Sequence, residues 1–280
     1  MNDIYRQQVA LLIRVMPLVF KIKNFAVHGG TAINLFHRNL PRYSVDIDVT
    51  YIPLEDRKTS LANINLHLSA LKTAIEKAVP GIRVIHKQDV WKLLCTKDGT
   101  TIKIEVNGTK RGILGDVEKI QLCEKAKEEF GMSCFANIVS WSQLYGGKIA
   151  AALSRQHPRD LFDCRSMTSD DFGKVKNGFM LCLLGSDKPI VESLNPNAID
   201  QREALDNQFD GMTEEPFNYD DYQKARLNLI EVVNQGLTED DKAFLISFEE
   251  GNPDWNKCCA GDLSNYPSVR WKLQNIGAAA

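Results

Sequence analysis

Apolar residues recur every three to four positions through "DIYRQQVALLIRVMPLVF", which predicts an opening helix broken near Pro17, whose ring removes a backbone donor. The pattern then shortens. "FAVHGG" predicts a short buried strand ending in a turn, "TAINLFHR" a short helix, and the alternating "SVDIDVTYI" a strand with one face presented outward. A long helix fits Asp56 to about Val79 and is closed by Pro80-Gly81. "IRVIHK", "WKLLCT" and "TIKIEVNG" predict three further strands, the last two joined across Asp98-Gly99, a hairpin pair. Strands that follow one another in sequence favour an α+β fold over a doubly wound parallel sheet.

From Ser140 the pattern turns helical. "SWSQLYGGKIAAAL" opens with Ser140 and Gln143 at capping-box spacing, and "HPRDLFDCRSM" places Pro158 in a first helical turn. "DFGKVKNGFMLCLL", "YDDYQKARLNLIEVVNQG", "LTEDDKAFLISFEEG" and "YPSVRWKLQNI" read as helices, with Gly236 ending the second and Thr238 capping the third. Asn195-Pro196-Asn197 and "FDGMTEEPFN" read as loops. The expected organisation is an α+β domain over residues 1–139, a mixed sheet with flanking helices, and a mainly helical domain over residues 140–280.

Composition narrows the class without naming it. Of 280 residues, 44% are hydrophobic and 25% charged, as in soluble globular proteins. A net charge of -2 announces no global basic field for nucleic acid, though a local patch stays open. No run of about 18 apolar residues predicts a membrane span, and the N-terminus lacks a signal-peptide pattern. The seven cysteines are scattered without a Cys-x-x-Cys pair, which suits reduced thiols in a cytoplasmic protein. There is no His-x-x-x-His pair, which disfavours a zinc hydrolase.

The chemistry concentrates in "HGGTAINLFHRNLPRYSVDIDVTY". Gly29 and Gly30 lie between a strand and a helix start, where amides without neighbouring side chains approach an anion closely. Asp46 and Asp48, at i and i+2 on a strand, point to one face. Two such carboxylates repel unless a cation lies between them, and magnesium, or manganese, is the hard cation that carboxylates share with phosphates. Glu105 in "IKIEVN" is a candidate third metal carboxylate. Each feature also has a plain structural reading: a turn, a solvated strand face, an edge strand. In this order they fit phosphoryl or nucleotidyl transfer.

Lys148 falls about two turns into its helix, and Asp160 and Asp163 share a helical face, with Arg159 four residues before Asp163. They suit either a triphosphate contact or a salt-bridge cluster joining two helices. Lys87, Lys92, Lys97 and Lys103 form a positive edge or a solvated strand face, and Trp141, Trp255 and Trp271 read as core. His28 packs at a strand end and His157 serves as a cap or loop residue.

The run "GG…DID…IEV" resembles the DNA polymerase β-like nucleotidyltransferase superfamily. "HGGTAINL", "RYSVDIDV", "GGKIAAALSRQHPRDLFD" and "FEEGNPDW" are similar to the AbiEii toxins of type IV toxin–antitoxin and abortive-infection systems. The resemblance places the nucleotide-binding residues at Gly29, Gly30, Thr31, Arg42, Ser44, Lys148 and Arg159. It places the metal carboxylates at Asp46 and Asp48, with Glu105 from the wider superfamily, and the catalytic set at Asp46, Asp48, Lys148, Asp160 and Asp163. The spacer between Gly30 and Asp46 is slightly longer than the family's. The resemblance implies a nucleoside triphosphate substrate, release of pyrophosphate, a separately encoded antitoxin, and an RNA acceptor, tRNA in particular. It also implies that the helical domain contributes its Lys and Asp residues to the active-site cleft. Two alternatives stand beside it: a small-molecule nucleotidyltransferase of the antibiotic-modifying kind, and a catalytically silent nucleotide-binding scaffold.

Overall fold

Helix α1 (Asp3–Phe20) runs without a break through Pro17. Pro17 supplies no N–H to the Ile13 carbonyl, so one intrahelical bond is lost. The buried stripe of Leu12, Val15, Met16 and Val19 holds the helix against the sheet on both sides of it. The structure is a computed structural model that describes residues 2–279. Its chain divides into two units, Met1–Ser140 with Gly211–Glu215, and Trp141–Asp210 with Pro216–Ala280.

The first unit is built on seven strands: β1 (Phe25–His28), β2 (Asp46–Tyr51), β3 (Arg83–Lys87), β4 (Lys92–Lys97), β5 (Thr100–Val106), β6 (Glu118–Gln121) and β7 (Phe135–Ile138). They form one sheet in the order β3-β4-β5-β2-β1-β7-β6. The pairings β2–β5 and β1–β7 are parallel and the rest antiparallel. This is the α+β class that consecutive strands imply. Asp98 and Gly99, both at positive φ, turn the β4–β5 hairpin.

Between the strands lie α2 (Gly29–Ala32), α3 (Arg57–Ala78) and α4 (Glu124–Phe130). Asp56 caps α3 by accepting from the Thr59 amide, and the buried Ile64, Leu68, Leu71 and Ile75 form its inner stripe. Strand alternation sends Val84, Leu93, Cys95, Ile102, Ile104, Ile47 and Val49 into the core and gives the other face of strands β2 to β5 mostly to polar residues, with Ile85 and Leu94 between them.

Two local expectations differ. Gly29 and Gly30 are the first residues of α2, not a free turn, and α2 passes into a π-helical turn over Ile33–His37. The segment β6–α4–β7 carries no strong period, and its strands are four residues each. The stretch read as a loop, "FDGMTEEPFN", returns part of itself to this unit. The Tyr43 amide donates to Met212 O at 2.7 Å, and the Thr213 hydroxyl donates to Pro41 O at 2.8 Å.

The second unit contains α5 (Trp141–Arg155), α6 (Pro158–Cys164), α7 (Ser169–Leu184), α8 (Ile190–Leu194), α9 (Arg202–Ala204), α10 (Tyr219–Gly236), α11 (Glu239–Glu249) and α12 (Pro267–Ala279). Asn218 and Thr238 form capping boxes with Asp221 and Asp241. α5 and α7 meet backbone to backbone. A β-carbon on Gly146 would lie 2.1 Å from the Phe179 nitrogen, and one on Gly178 would lie 2.0 Å from the Ser142 oxygen, so only glycine fits at either position. Phe162, Phe209 and Phe217 pack edge-on and tilted around α6. Trp271 is 47% exposed, not core, because α12 turns Val269 and Lys272 inward instead. Among the described residues no helix is long and apolar enough to cross a membrane.

Candidate active site

β2 sends Ile47 and Val49 into the core and therefore presents Asp46 and Asp48 together, half-buried, on the opposite face. The parallel neighbour β5 sets Lys103 across from Asp46 and Glu105 across from Asp48. β4 sets Lys92 across from Glu105. The side chains meet accordingly: Lys103 Nζ lies 3.2 Å from Asp46 Oδ2, and Lys92 Nζ lies 2.9 Å from Glu105 Oε2. Two of the lysines that sequence alone reads as an edge or a solvated face are thus partners of candidate metal ligands. Lys97 instead holds Pro80 O at 2.8 Å and Asp98 at 3.2 Å.

β1 ends at His28, directly across from Asp48, with the His28 ring held 2.9 Å from the Thr50 hydroxyl. Gly29 follows at a φ of +74°, the left-handed region that favours glycine. A β-carbon there would stand 2.7 Å from Asp48 Oδ2. The backbone therefore closes directly onto the carboxylate. Below it, a β-carbon on Gly30 would stand 2.8 Å from both Arg42 Nη2 and Ser44 Oγ. Arg42 is 2% exposed and donates through Nη1 to Tyr43 O at 2.8 Å. The Thr31 hydroxyl donates to the Asp46 carbonyl and lies 3.1 Å from Ser44 Oγ. Gly29, Gly30, Thr31, Arg42, Ser44, Asp46 and Asp48 thus come together within the first unit.

The first amides of a helix have no intrahelical acceptor, and here they start beside Asp48. α2 is only four residues long, so its macrodipole is small and the amides themselves are what an anion would meet. Asn34, absent from the sequence-derived set, holds the loop by donating from Nδ2 to Gly30 O at 2.9 Å. Its i+4 spacing from Gly30 inside a helical pattern was the available signal.

Two half-buried carboxylates on one strand face suit a hard divalent cation such as magnesium or manganese, which completes its shell with phosphate oxygens and water. Among the described residues no group of three or more His, Cys, Asp or Glu side chains converges to hold a metal. Glu105 sits in register with Asp48, but its carboxylate is engaged by Lys92.

The second unit holds its own charged group. α5 carries Lys148, 6% exposed, with Nζ 2.9 Å from Asp160 Oδ1 and 3.1 Å from Asp163 Oδ2, both on α6. Arg155, also absent from the sequence-derived set, lies 2.7 Å from the other oxygen of Asp160. It belongs to the end of α5, where the helical period breaks before His157 and no spacing rule points to Asp160. His157 caps α6 by accepting from the Arg159 amide at 3.2 Å. Burial holds the His157 pKa below its usual value, against a hydrogen bond to Gln208 that raises it. The buried Lys148 ammonium is thus paired with two carboxylates, and one of these also meets Arg155. Arg159 is half-buried beside them on α6.

Over residues 10–275 the sequence matches the family described as Nucleotidyl transferase AbiEii toxin, Type IV TA system. No curated protein matches it. Among solved structures, MenT4, a nucleotidyltransferase toxin from Mycobacterium tuberculosis H37Rv, is similar in fold. The two share 14% identity with a TM-score of 0.65, over 98% of this chain and 93% of that one.

Proposed function

The chain belongs to the AbiEii nucleotidyl transferase toxin family of type IV toxin–antitoxin systems, and on that premise we propose that it moves a nucleoside monophosphate from a nucleoside triphosphate to RNA, tRNA in particular, with magnesium or manganese. Its class is that of a nucleotidyltransferase toxin, and the family implies a triphosphate substrate and an antitoxin partner. The proposed place of action is the cytoplasm, where triphosphates and tRNA are both present.

The observation that carries the reading is the contact of the Gly29 backbone with the Asp48 carboxylate. Phosphates held by the Gly29 and Gly30 amides would lie directly beside Asp48 and its neighbour Asp46. These two aspartates would hold the divalent cation, which when bound offsets charge on the triphosphate and eases deprotonation of the acceptor hydroxyl. Thr31 and Ser44 fix the loop against β2, and Arg42 supports Gly30 from beneath. In the reaction the acceptor hydroxyl gives its proton to water, its oxygen attacks the α-phosphorus, the bond from that phosphorus to the α–β bridging oxygen breaks, and pyrophosphate leaves. Lys148 is assigned a fixed positive charge within the second unit. Asp160 and Asp163, which already bond its ammonium, are assigned the task of holding it in place.

The test is incubation with each α-labelled nucleoside triphosphate together with total RNA and total protein. Label in tRNA is expected. Label confined to protein, or to a small molecule, would overturn the RNA acceptor.

A further inference from the structure

The sheet face that presents the two aspartates continues outward past them. On this face β5 carries Thr101, Lys103 and Glu105, β4 carries Lys92, Leu94 and Thr96, and the edge strand β3 carries Arg83, Ile85 and Lys87. The register aligns them in rows. Lys87, Lys92, Glu105 and Asp48 form one; Ile85, Leu94, Lys103 and Asp46 the next; Arg83, Thr96 and Thr101 the third. The acids lie only on β2 and β5. β3 and β4 contribute cations and no acid, in a chain whose net charge is -2. Arg83 and Lys87 are exposed. At about 4.8 Å per strand, Lys87 stands roughly 14 Å from Asp48.

We propose that Arg83, Lys87, Lys92 and Lys103 form the track that holds the phosphates of the acceptor, the end of a single-stranded RNA whose terminal hydroxyl reaches the aspartates. This rests on the RNA-acceptor reading above. A ligand entering from the sheet edge meets the cations of β3 and β4 before any acid; the first acid, Glu105, is paired with Lys92, and Asp46 and Asp48 lie one strand beyond it. The acceptor must therefore carry negative charge at intervals behind a reactive hydroxyl, which describes a nucleic-acid end. A polycationic antibiotic would be repelled by β3 and β4. An acidic protein segment matches the cations but gives no reason for the track to end on the reacting groups. Ile85, 42% exposed, and its cross-strand partner Leu94 supply an apolar strip between the basic rows for ribose and base faces. With aliphatic contacts and no aromatic platform on these strands, discrimination between base sequences is weak.

The test uses the full chain and a fluorescein-labelled, unstructured RNA with a free 3′ hydroxyl, titrated by anisotropy over a range of salt. R83Q/K87Q removes the two exposed cations farthest from the aspartates. Each phosphate of a single strand that no longer meets a cation lowers the salt slope by about 0.7, so the double variant is expected to fall by about 1.4 in slope and about 25-fold in affinity at 0.1 M salt. Nucleoside triphosphate binding, measured on the same preparation, is expected to stay at the wild-type value. Wild-type slope and affinity in the double variant would overturn the track while leaving the RNA acceptor standing. Failure of the wild type to bind the RNA would overturn both. Unchanged RNA binding with loss of inhibition by the antitoxin would make the face a protein-docking surface and overturn the proposal.

Discussion

A β-carbon on Gly29 would stand 2.7 Å from Oδ2 of Asp48, and Gly29 holds a φ of +74°. Gly29→Ala must therefore both strain the backbone and push the carboxylate aside. The backbone term is about 1–2 kcal/mol. The carboxylate can swing away cheaply, but a displacement of about 1 Å at a reacting centre costs on the order of a hundredfold in rate. The expected outcome is a melting temperature lowered by a few degrees with transfer reduced far beyond the unfolded fraction. Calorimetry and a transfer assay on one preparation check it.

Lys148 offers the opposite balance. Its ammonium lies between Asp160 and Asp163 with all three side chains almost fully buried. Removing it leaves two carboxylates buried and repelling, a loss of about 3–5 kcal/mol. Lys148→Met is expected to destabilise strongly, and adding Asp163→Asn to it should recover part of the loss. Urea unfolding of the two variants and the wild type checks this. Near-wild-type stability in Lys148→Met would mean that the ion pairs contribute little.

Lys103 competes with any cation for Asp46, given their 3.2 Å pairing. In the absence of RNA, Lys103→Met is expected to tighten manganese binding about fivefold, the scale of one half-exposed charge near about 1 kcal/mol. Asp48→Asn is expected to abolish tight binding, and Glu105→Gln, whose carboxylate is held by Lys92, to weaken it less. Titration followed by manganese electron paramagnetic resonance separates the three.

Asp241 supplies a pH signature of stability. Burial pushes its carboxyl up, but the Lys176 ammonium at 2.6 Å and the Thr238 amide and hydroxyl outweigh it, so the pKa sits below the usual carboxylate value. A lowered folded pKa means that this stabilisation is fully present above about pH 4 and is lost as pH falls through the folded pKa. Asp241→Asn is expected to cost about 1–3 kcal/mol at pH 7. The gap in melting temperature to the wild type should narrow below pH 4. A gap that stays constant with pH would assign the loss to packing.

Local pattern carried much of this architecture. Asp56 and Val79 flank α3 where the period places them, and the Asp98-Gly99 pair turns the hairpin it announces. What depends on distant partners was not legible. β7 pairs in parallel with β1, a tertiary contact that four residues of "FANI" do not encode. Residues 211–215 return to the first unit through hydrogen bonds with Asn2, Tyr43 and Pro41, and no periodicity marks such anchors.

At the site, the spacing of Asp46 and Asp48 was sufficient to put them on one face. Arg42 and Ser44 were named only through family resemblance, because their packing beneath Gly30 requires the chain to fold back. Lys92 and Lys103 show why a charged strand face is ambiguous in sequence. Alternation gives the face, but only the register with β2 and β5 reveals that these lysines stand beside acids.

The most direct measurement is transfer of α-phosphate label from a nucleoside triphosphate to RNA, with pyrophosphate release followed in parallel, by the wild type and by Asp48→Ala. Loss of one carboxylate from a pair of like charges costs little stability, so the two proteins should melt within a few degrees of each other. The wild type is expected to label RNA and release pyrophosphate in equal amounts, and Asp48→Ala to do neither. Wild-type labelling by a folded Asp48→Ala protein would contradict the assignment of catalysis to the aspartate pair.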